Sequence, residues 1–351
     1  MNGWHRLCAA ACTGIPAARL AVIAIAASAA PAFAQLNVIC PVQAEWCNLA
    51  ATEFERETGI KVAMTLKGSG ESLAQIVAEK ANPKLDVWFG GTGDPHLQAA
   101  EEGLTQEYKS PMLSQLNDWA VRQAEQSHYR TVGIYMGALG YSYNTEQLRK
   151  RNLPEPKCWS DLLNPAFKDE IQVANPNSSG TSYTMLATLV QIMGEDKAFD
   201  YLKKLHRNVN QYTKSGAAPA RAAATGESLI GITFQHDAVV QAVNGAPVKI
   251  VSPCEGTGYE IGSMSIIKGA KNLENAKKWY DWALTPEAQE IGAKAKVSYQ
   301  APSNKNAPMP EHAPKFVEMK LINYDTAKYG SSAERTRLLQ KWDKEVSTLP
   351  K

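Results

Sequence analysis

The alternation of short apolar runs with amphipathic segments constrains the fold of this chain more than any other feature of its sequence. Leu36–Cys40 and Leu85–Phe89 have the length and composition of buried strands, and segment 45–58 carries apolar residues at helical spacing. Gly59 follows that segment as a helix stop signal. The order of strand and helix over residues 36–102 predicts an α/β fold with a parallel sheet and right-handed crossovers.

A second unit of the same kind begins after Tyr129. Apolar runs at 131–143, 171–174 and 229–234 predict further strands, with predicted helices between them. In open α/β sheets, ligands bind beyond the carboxyl ends of the strands, where helices begin. The loops at those positions are therefore the candidates for a binding site.

The charge balance of the chain excludes one class of partner. Lys and Arg number 37 and Asp and Glu number 35, which gives a formal net charge of +2. A nucleic-acid-binding protein would show a basic surplus or a basic stripe, so we expect no nucleic-acid partner.

Residues 1–34 have the features of a secretory signal peptide. Arg6 and Arg19 give the segment a positive charge, and 20–30 is an apolar run too short to span a bilayer. The small-x-small sequence Ala32–Ala34 is a signal peptidase site, which predicts cleavage and export to the periplasm. The alternative is an uncleaved anchor.

Export makes the cysteines informative. Cys8 and Cys12 lie in the predicted signal peptide, and the remaining cysteines are Cys40, Cys47, Cys158 and Cys254. An even number in an oxidising compartment predicts two disulfides, with three possible pairings. The short spacing of Cys40 and Cys47 favours a local bridge, which leaves Cys158 and Cys254 for the second. No metal site is predicted, because the cysteines have neither Cys-x-x-Cys spacing nor a nearby His.

Four loops are rich in Gly, Ser or Thr, and the first three lie at predicted strand-to-helix turns. They are Gly68–Ser72, Gly90–Asp94, Ser178–Thr181 and Glu255–Gly258. Hydroxyls and free N–H groups at helix starts bind anions, although any single loop of this kind is also compatible with an ordinary N-cap. Together they predict a phosphate, phosphonate, sulfate or carboxylate site. None has the P-loop pattern of a nucleotide hydrolase.

His236 and Asp237 follow an apolar run, and Glu255 lies in a Gly-rich loop. These side chains could hydrogen-bond a polyhydroxyl ligand. Asp237 could instead only cap a helix, and Glu255 could be a solvated loop carboxylate. The sequence has no G-x-S-x-G elbow and no H-E-x-x-H motif, so we do not expect an enzyme. A secreted hydrolase that uses His236 and a nearby Ser is the competing class of function.

Several motifs together resemble those of the periplasmic substrate-binding proteins of ABC importers, and more narrowly the ferric-ion-binding group of the type II fold. The motifs are Phe54–Val62, Asp86–Phe89, Gly140–Thr145, Trp159–Leu162, Asn175–Thr181 and Leu284–Gln289. The resemblance implies two lobes joined by two crossover segments. Lobe 1 would take 35–136 and 259–351, including the C-terminal helices, and lobe 2 would take 137–258. It also implies a monomer without a cofactor that delivers its ligand to an inner-membrane ABC permease.

Within that group, the chain is similar to the hexose-phosphate-binding members. His236–Asp237 and Pro253–Gly258 carry this similarity, and the turn Phe234–Asp237 lacks the tyrosine pair of the iron binders. The resemblance implies that His236, Asp237 and Glu255 hold the sugar. The implied phosphate ligands are Ser69, Gly70, Thr92, Ser178, Ser179, Gly180 and Thr181. A small phosphonate such as 2-aminoethylphosphonate, or ferric ion, is the alternative ligand.

A carboxylate repels a phosphate but accepts hydrogen bonds from sugar hydroxyls. We therefore expect the acidic residues to lie at the opposite end of the cleft from the helix starts.

Overall fold

The structure is a computed structural model that describes residues 35–350, so the predicted signal peptide lies outside the described residues. The strands are β1 Leu36–Cys40, β2 Val62–Leu66, β3 Val87–Phe89, β4 Val132–Asn144, β5 Ile171–Ala174, β6 Val209–Thr213, β7 Ile230–Phe234, β8 Val248–Val251, β9 Tyr259–Ile266 and β10 Ala301–Pro302. The helices are α1 Ala44–Thr58, α2 Ser69–Ala78, α3 Gly93–Glu101, α4 Asp118–Gln126, α5 Thr145–Lys150, α6 Gly180–Met193, α7 Glu195–His206, α8 Ala218–Thr225, α9 Gln235–Val243, α10 Leu273–Ala283, α11 Pro286–Lys294, α12 Thr326–Tyr329 and α13 Ser332–Trp342.

The predicted α/β fold is confirmed, and local chemistry explains where its helices begin and end. Gly59 ends α1 in the left-handed region at φ 72°, and its N–H donates to the Glu55 carbonyl oxygen at 2.9 Å. Helix α2 begins at Ser69, three residues before the predicted start at 72. The Glu71 carboxylate accepts the N–H of Gly68 at 3.2 Å, which fixes the first turn directly after the glycine.

The sheet is parallel on its two sides and antiparallel in its centre. The strand order is β2-β1-β3-β9-β4-β7-β5-β6. Strand β1 is parallel to β2 and β3, and β5 is parallel to β6 and β7, as the alternation of strands and helices predicts. Strands β9 and β4 lie between these groups and pair antiparallel with their neighbours. The parallel sheet predicted for residues 36–102 is therefore confirmed, and the antiparallel centre is formed by strands outside that segment.

Two hydrophobic cores define two lobes. The core of lobe 1 lies around β1, β3 and β9, with Phe54 and Trp279 among its buried side chains. The core of lobe 2 lies around β5 and β7, with Trp159 and Phe199 among its buried side chains. Two segments connect the lobes. Strand β4 pairs with β9 through Ala138 and with β7 from Leu139, and the chain returns before β9.

The C-terminal helix α13 contacts both lobes. Leu338 and Trp342 of this helix, and Val346 in the turn that follows it, are buried in the core of lobe 2, although the resemblance implied that 259–351 belongs with lobe 1. On its other side, Arg335 donates to Gln98 Oε1 on α3 of lobe 1 at 3.0 Å. This helix therefore packs into one lobe and hydrogen-bonds to the other. The exact residue boundaries of the lobes stay predictions.

Both predicted disulfides are confirmed. Cys40 and Cys47 join the end of β1 to α1, and Cys158 and Cys254 join two loops of lobe 2 that are 96 residues apart in the sequence. None of the helices within residues 35–350 combines the length and the hydropathy that crossing a bilayer requires.

Candidate ligand-binding site

A small cavity lies where helix starts from both lobes meet. Lobe 1 contributes the loops that lead into α1, α2 and α3, and lobe 2 contributes the loops that lead into α6, α8 and α9. The lining residues are Pro41, Val42, Gly68, Ser69, Gly91, Thr92, Ser179, Gly180, Thr181, Gly216, Ala217, Phe234, His236, Asp237 and Glu260. Within the described part of the chain, no lysine or arginine lines this cavity.

Four hydroxyl-bearing side chains form one part of the wall, and we call Ser69, Thr92, Ser179 and Thr181 the hydroxyl cluster. Each lies against a glycine, because a Cβ atom on Gly91, Gly180 or Gly216 would overlap one or two of these side chains. The glycines let the backbone and the hydroxyls approach each other closely. First-turn N–H groups have no partner within their own helix, so this wall is rich in hydrogen-bond donors.

The hydroxyls of Thr92 and Ser179 do not cap their own helices. Both residues occupy N-cap positions, but neither side chain accepts a capping hydrogen bond. Elsewhere in the molecule, the N-cap residues Thr285 and Ser331 accept backbone N–H groups in the usual way, at 3.2 and 3.3 Å. Thr92 Oγ1 is buried and has no hydrogen-bond partner among the described residues. An uncharged donor set of this kind can hold an anion.

The two lobes are closed against each other at this wall. The Gly70 N–H of lobe 1 donates to the Ser178 carbonyl oxygen of lobe 2 at 2.9 Å. Gly180 lies directly against Thr92, where a side chain at position 180 would not fit. The hydroxyl cluster is therefore complete only when the lobes are closed.

Three further side chains form the acidic cluster, which we define as His236, Asp237 and Glu260. They are 2%, 5% and 4% exposed. His236 Nε2 lies 3.7 Å from Asp237 Oδ1 and 3.8 Å from Glu260 Oε1. The amide of Gln300 is 3.5 Å from the same ring nitrogen.

Burial shifts the ionisation of all three groups toward their neutral forms. It lowers the pKa of His236 to about 3, so this imidazole is uncharged at neutral pH. It raises the pKa of Asp237 to about 7, against smaller opposing effects of the Thr233 hydroxyl and the Arg221 charge. Burial also raises the pKa of Glu260 well above its usual range, and the nearby Asp237 and Asp94 raise it further.

Two residues connect the acidic cluster to its surroundings. The Gln43 side-chain amide of lobe 1 donates to Asp237 Oδ1 of lobe 2. Gln43 lies in the loop that the Cys40–Cys47 disulfide closes. Thr233 Oγ1 lies 3.0 Å from both Asp237 Oδ2 and the carbonyl oxygen of Gly216, so Asp237 also touches the loop that carries part of the hydroxyl wall. The expected separation of the two clusters to opposite ends stays a prediction.

The structure brings seven of the ten predicted ligand-contacting residues to the cavity wall. They are Ser69, Thr92, Ser179, Gly180, Thr181, His236 and Asp237. Gly70 and Ser178 lie beside the cavity and bond to each other across the lobes.

Glu255 lies elsewhere. Its carboxylate accepts the N–H groups of Trp159 and Ser160 at 2.7 and 2.9 Å, at the start of a short 3₁₀ helix. This placement does not fit the expectation that Glu255 contacts a sugar, because its oxygens are used to hold the loop beside the Cys158–Cys254 disulfide.

Sequence reasoning missed Glu260, Gly216 and Gln43. Glu260 could have been found as the one charged residue of β9, because a charged residue in a buried strand is rare. Gly216 follows a strand and precedes a helix, like the loops that were identified. Nothing in the local sequence marks Gln43, whose contact with Asp237 joins residues 194 positions apart.

The chain matches known proteins over most of its length. Residues 82–329 match the family model of the bacterial extracellular solute-binding proteins. An uncharacterized protein of Haemophilus influenzae is 46% identical over 335 residues, which cover 95% of this chain and 96% of that protein. A putative 2-aminoethylphosphonate-binding periplasmic protein of Salmonella typhimurium is 28% identical over 256 residues and covers 70% of each chain.

Among solved structures, the periplasmic binding protein AfuA from Actinobacillus pleuropneumoniae, with exogenous fructose-6-phosphate bound, has a TM-score of 0.86. It is 45% identical in sequence, and the match covers 90% of this chain and 99% of AfuA. The two-lobed type II periplasmic binding fold is therefore confirmed. This chain belongs to the family of bacterial extracellular solute-binding proteins.

Proposed function

We propose that this protein is the periplasmic solute-binding component of an ABC importer and that its ligand is a hexose phosphate. One observation carries the proposal. Hydroxyls that stand at helix starts in both lobes are not used as caps, and they meet in a cavity whose remaining polar wall is acidic. A ligand with one anionic end and one hydroxylated end fits this pairing.

The phosphate would lie against the hydroxyl cluster. Its oxygens accept hydrogen bonds from hydroxyls and from N–H groups of the first turns of α2, α3, α6 and α8. A dianion can be held there without a basic side chain, because several helix dipoles converge on it. The carboxylates are 95% or more buried and keep the phosphate from binding at the other part of the wall.

The sugar would lie against the acidic cluster. Asp237 and Glu260 accept hydrogen bonds from ligand hydroxyls, and His236 Nε2 lies beside both carboxyl groups. Glu260 takes the role that the sequence assigned to Glu255. The fructose-6-phosphate bound to AfuA is consistent with this assignment.

The capture step is lobe closure. Thr92 and Gly180 meet only across the cleft, so the phosphate draws the two lobes together when it binds both. A closed, monomeric complex would then dock on an inner-membrane permease. The protein contributes binding and delivery, without a cofactor and without chemistry on the ligand.

A small phosphonate is the second candidate ligand. The Salmonella relative described as a putative 2-aminoethylphosphonate-binding protein favours it, since the hydroxyl cluster would hold a phosphonate as it holds a phosphate. Iron has less support. Within the described residues, the one group of three His, Cys, Asp or Glu side chains with clustered ligand atoms is Cys158, Cys254 and Glu255, and its two sulfurs are joined in a disulfide.

The hydrolase alternative also has little support. In the part of the chain that the structure describes, His236 has the Gln300 amide as its hydrogen-bond partner, and no serine hydroxyl contacts the ring. A nucleophile and its base must lie within hydrogen-bond reach of each other.

A thermal-shift panel on protein that has been unfolded, washed and refolded tests the proposal. The compounds are glucose 6-phosphate, fructose 6-phosphate, free glucose, inorganic phosphate, 2-aminoethylphosphonate and ferric citrate. A ligand at a hundred times its Kd adds about 2.7 kcal/mol of stability, which raises Tm by several degrees. We expect a shift with a phosphosugar and none with glucose. A shift with ferric citrate alone, or turnover of any phosphosugar, would overturn the proposal.

A further inference from the structure

Glu260 is a buried carboxyl group that nothing in the described part of the protein compensates. It is 4% exposed, and no described residue donates a hydrogen bond to it. His236 Nε2 lies 3.8 Å from Glu260 Oε1, on a ring that burial keeps uncharged. The titratable and charged groups around Glu260 and Asp237 are Asp94, His236, Tyr135 and Arg221.

Arg221 is the one cation in that set, and its charge acts on Asp237 without a direct contact. Arg221 is about half exposed and is already paired with Glu45 at 3.0 Å. The site therefore holds two buried carboxyl groups without an adjacent positive charge. Burying an uncompensated charge is unfavourable by several kcal/mol, so the group either keeps a proton or is stabilised by a ligand that brings a positive charge.

Asp237 already accepts hydrogen bonds from the Gln43 amide and the Thr233 hydroxyl, whereas no hydrogen bond to the Glu260 carboxyl group is found among the described residues. The carboxylates of Asp237 and Glu260 accept, and the Gln43 Oε1 atom is buried without a partner among residues 35–350. A hydroxyl group offers one donor and two acceptor lone pairs to such surroundings. A protonated amine offers three donors, no acceptor and a positive charge.

The same cavity has an independent ligand-binding feature in the hydroxyl cluster, where Thr92 Oγ1 is buried, unpartnered among the described residues and in the wall. We propose that this site binds phosphate esters that carry a protonated amine, such as an amino-sugar phosphate, in preference to the corresponding hydroxyl compounds. This inference rests on the proposed function, because it requires the hydroxyl cluster to hold the phosphate. The ammonium group lies between Glu260 and Asp237 and supplies the missing positive charge.

Two matched ligand pairs test the preference. Glucosamine 6-phosphate is compared with glucose 6-phosphate, and 2-aminoethyl phosphate with 2-hydroxyethyl phosphate, by isothermal titration calorimetry on the stripped protein. Each pair differs by one amine in place of one hydroxyl. A charge-assisted hydrogen bond is about twice as strong as a neutral one, so we expect the amine of at least one pair to bind about tenfold more tightly.

The ratio of the two affinities should also depend on pH. The phosphate of both members titrates in this pH range and the amine lowers its pKa, so the same ratio measured on Glu260→Gln serves as the reference for the phosphate contribution. As pH falls from about 7.5 to about 5.5, Asp237, whose pKa is raised to about 7, takes up a proton, and the advantage of the amine should shrink. A wild-type ratio that changes with pH no more than this reference would contradict the placement of the amine against these groups.

Glu260→Gln should bring the ratio close to one, and Asp237→Asn serves as a second variant if the first does not fold. Glu155→Gln, at an exposed surface ion pair with Lys249, is the matched control and should leave the ratio unchanged. Equal or tighter binding of the hydroxyl compound in both pairs would overturn the inference and leave the proposed function standing. Failure of every phosphate ester to bind would overturn the proposed function itself.

Discussion

The hydroxyl cluster and the acidic cluster line one cavity but are built on opposite electrostatic principles. The hydroxyl cluster uses neutral groups and helix dipoles, which can be buried without an ionic charge before any ligand binds. The acidic cluster uses Asp237 and Glu260, whose burial raises their pKa values. The hydroxyl cluster is therefore stable before the ligand binds. The acidic cluster contains buried carboxyl groups whose ionisation is unfavourable until a ligand contacts them.

Gly180→Ala should have the largest effect on ligand binding at the hydroxyl cluster. The added methyl group overlaps Thr92 only when the lobes are closed, so we expect affinity for a phosphosugar to fall by at least about a hundredfold. The free energy of unfolding of the ligand-free protein should change by less than about 1 kcal/mol. Calorimetry and urea unfolding measure the two quantities.

Gly245→Ala is the control for that variant. Gly245 has φ 91° and nothing within 4 Å of an added Cβ, so the substitution introduces backbone strain at a surface turn. It should lower stability by about 1 kcal/mol and leave binding unchanged. Unimpaired binding by Gly180→Ala would show that the lobes need not close at this wall.

Thr92→Val tests whether the Thr92 hydroxyl, which does not cap α3, forms a hydrogen bond with the ligand. The change removes a hydroxyl that has no partner among the described residues, so the stability of the ligand-free protein should not fall. Affinity for the phosphosugar should fall about thirtyfold, because a hydrogen bond to a charged acceptor is lost.

Thr285→Val is the matched cap variant. Thr285 accepts the Ala288 N–H at 3.2 Å, so its replacement should lower the free energy of unfolding by about 1 kcal/mol without affecting the affinity. If both variants lose stability and neither loses affinity, the two caps are equivalent and the proposed anion wall is wrong.

Asp237→Asn should show how much the buried charge of Asp237 in the acidic cluster lowers the free energy of unfolding. The folded-state pKa of Asp237 is raised to about 7, so the wild type is penalised above that pH and regains stability as pH falls toward the unfolded value near 4. Between pH 4 and pH 8 the difference in stability should therefore change by about 4 kcal/mol in favour of the variant. Chemical unfolding of both proteins across this pH range measures the difference. A constant difference at all pH values would contradict the titration of Asp237.

Arg221→Gln should have the smallest effect. Arg221 and Glu45 form an ion pair between the two lobes, but their side chains are 49% and 56% exposed. We expect affinity to change less than about threefold at low salt and not at all at high salt. A larger effect that persists in salt would mean that Arg221 supplies the positive charge that the acidic wall otherwise lacks.

Local sequence signals predict the strands and helices of this fold. They do not predict which strands pair with each other, because that pairing depends on residues far apart in the sequence. The apolar run of β7 is buried at all five positions and is readily predicted. The antiparallel centre is not, because the pairing of β4 with β9 depends on residues more than a hundred positions apart. The sequence alternation specifies each strand but not the order in which strands from two halves of the chain meet.

The binding site also combines residues that local sequence signals predict with residues that only long-range contacts reveal. Thr92 and His236 were found because a strand, a turn and a helix start are local features. Sequence reasoning singles out Glu255 because it stands in a Gly-rich loop, and it misses Glu260 because that residue lies in a strand. The Cys158–Cys254 disulfide holds that loop beside Trp159, and the Glu255 carboxylate accepts a hydrogen bond from the Trp159 N–H. Only the three-dimensional structure distinguishes the two carboxylates.

The position of α13 in the core of lobe 2 has a consequence for synthesis of the chain. Ribosomes release the polypeptide from its N-terminal end, so Leu338, Trp342 and Val346 become available long after the strands they cover. Lobe 1 likewise requires Trp279 and Leu284. Neither core can therefore be completed on a nascent chain that stops before these residues. Such a chain keeps apolar surface exposed, which makes it a substrate for chaperones and proteases rather than a half-built binding protein.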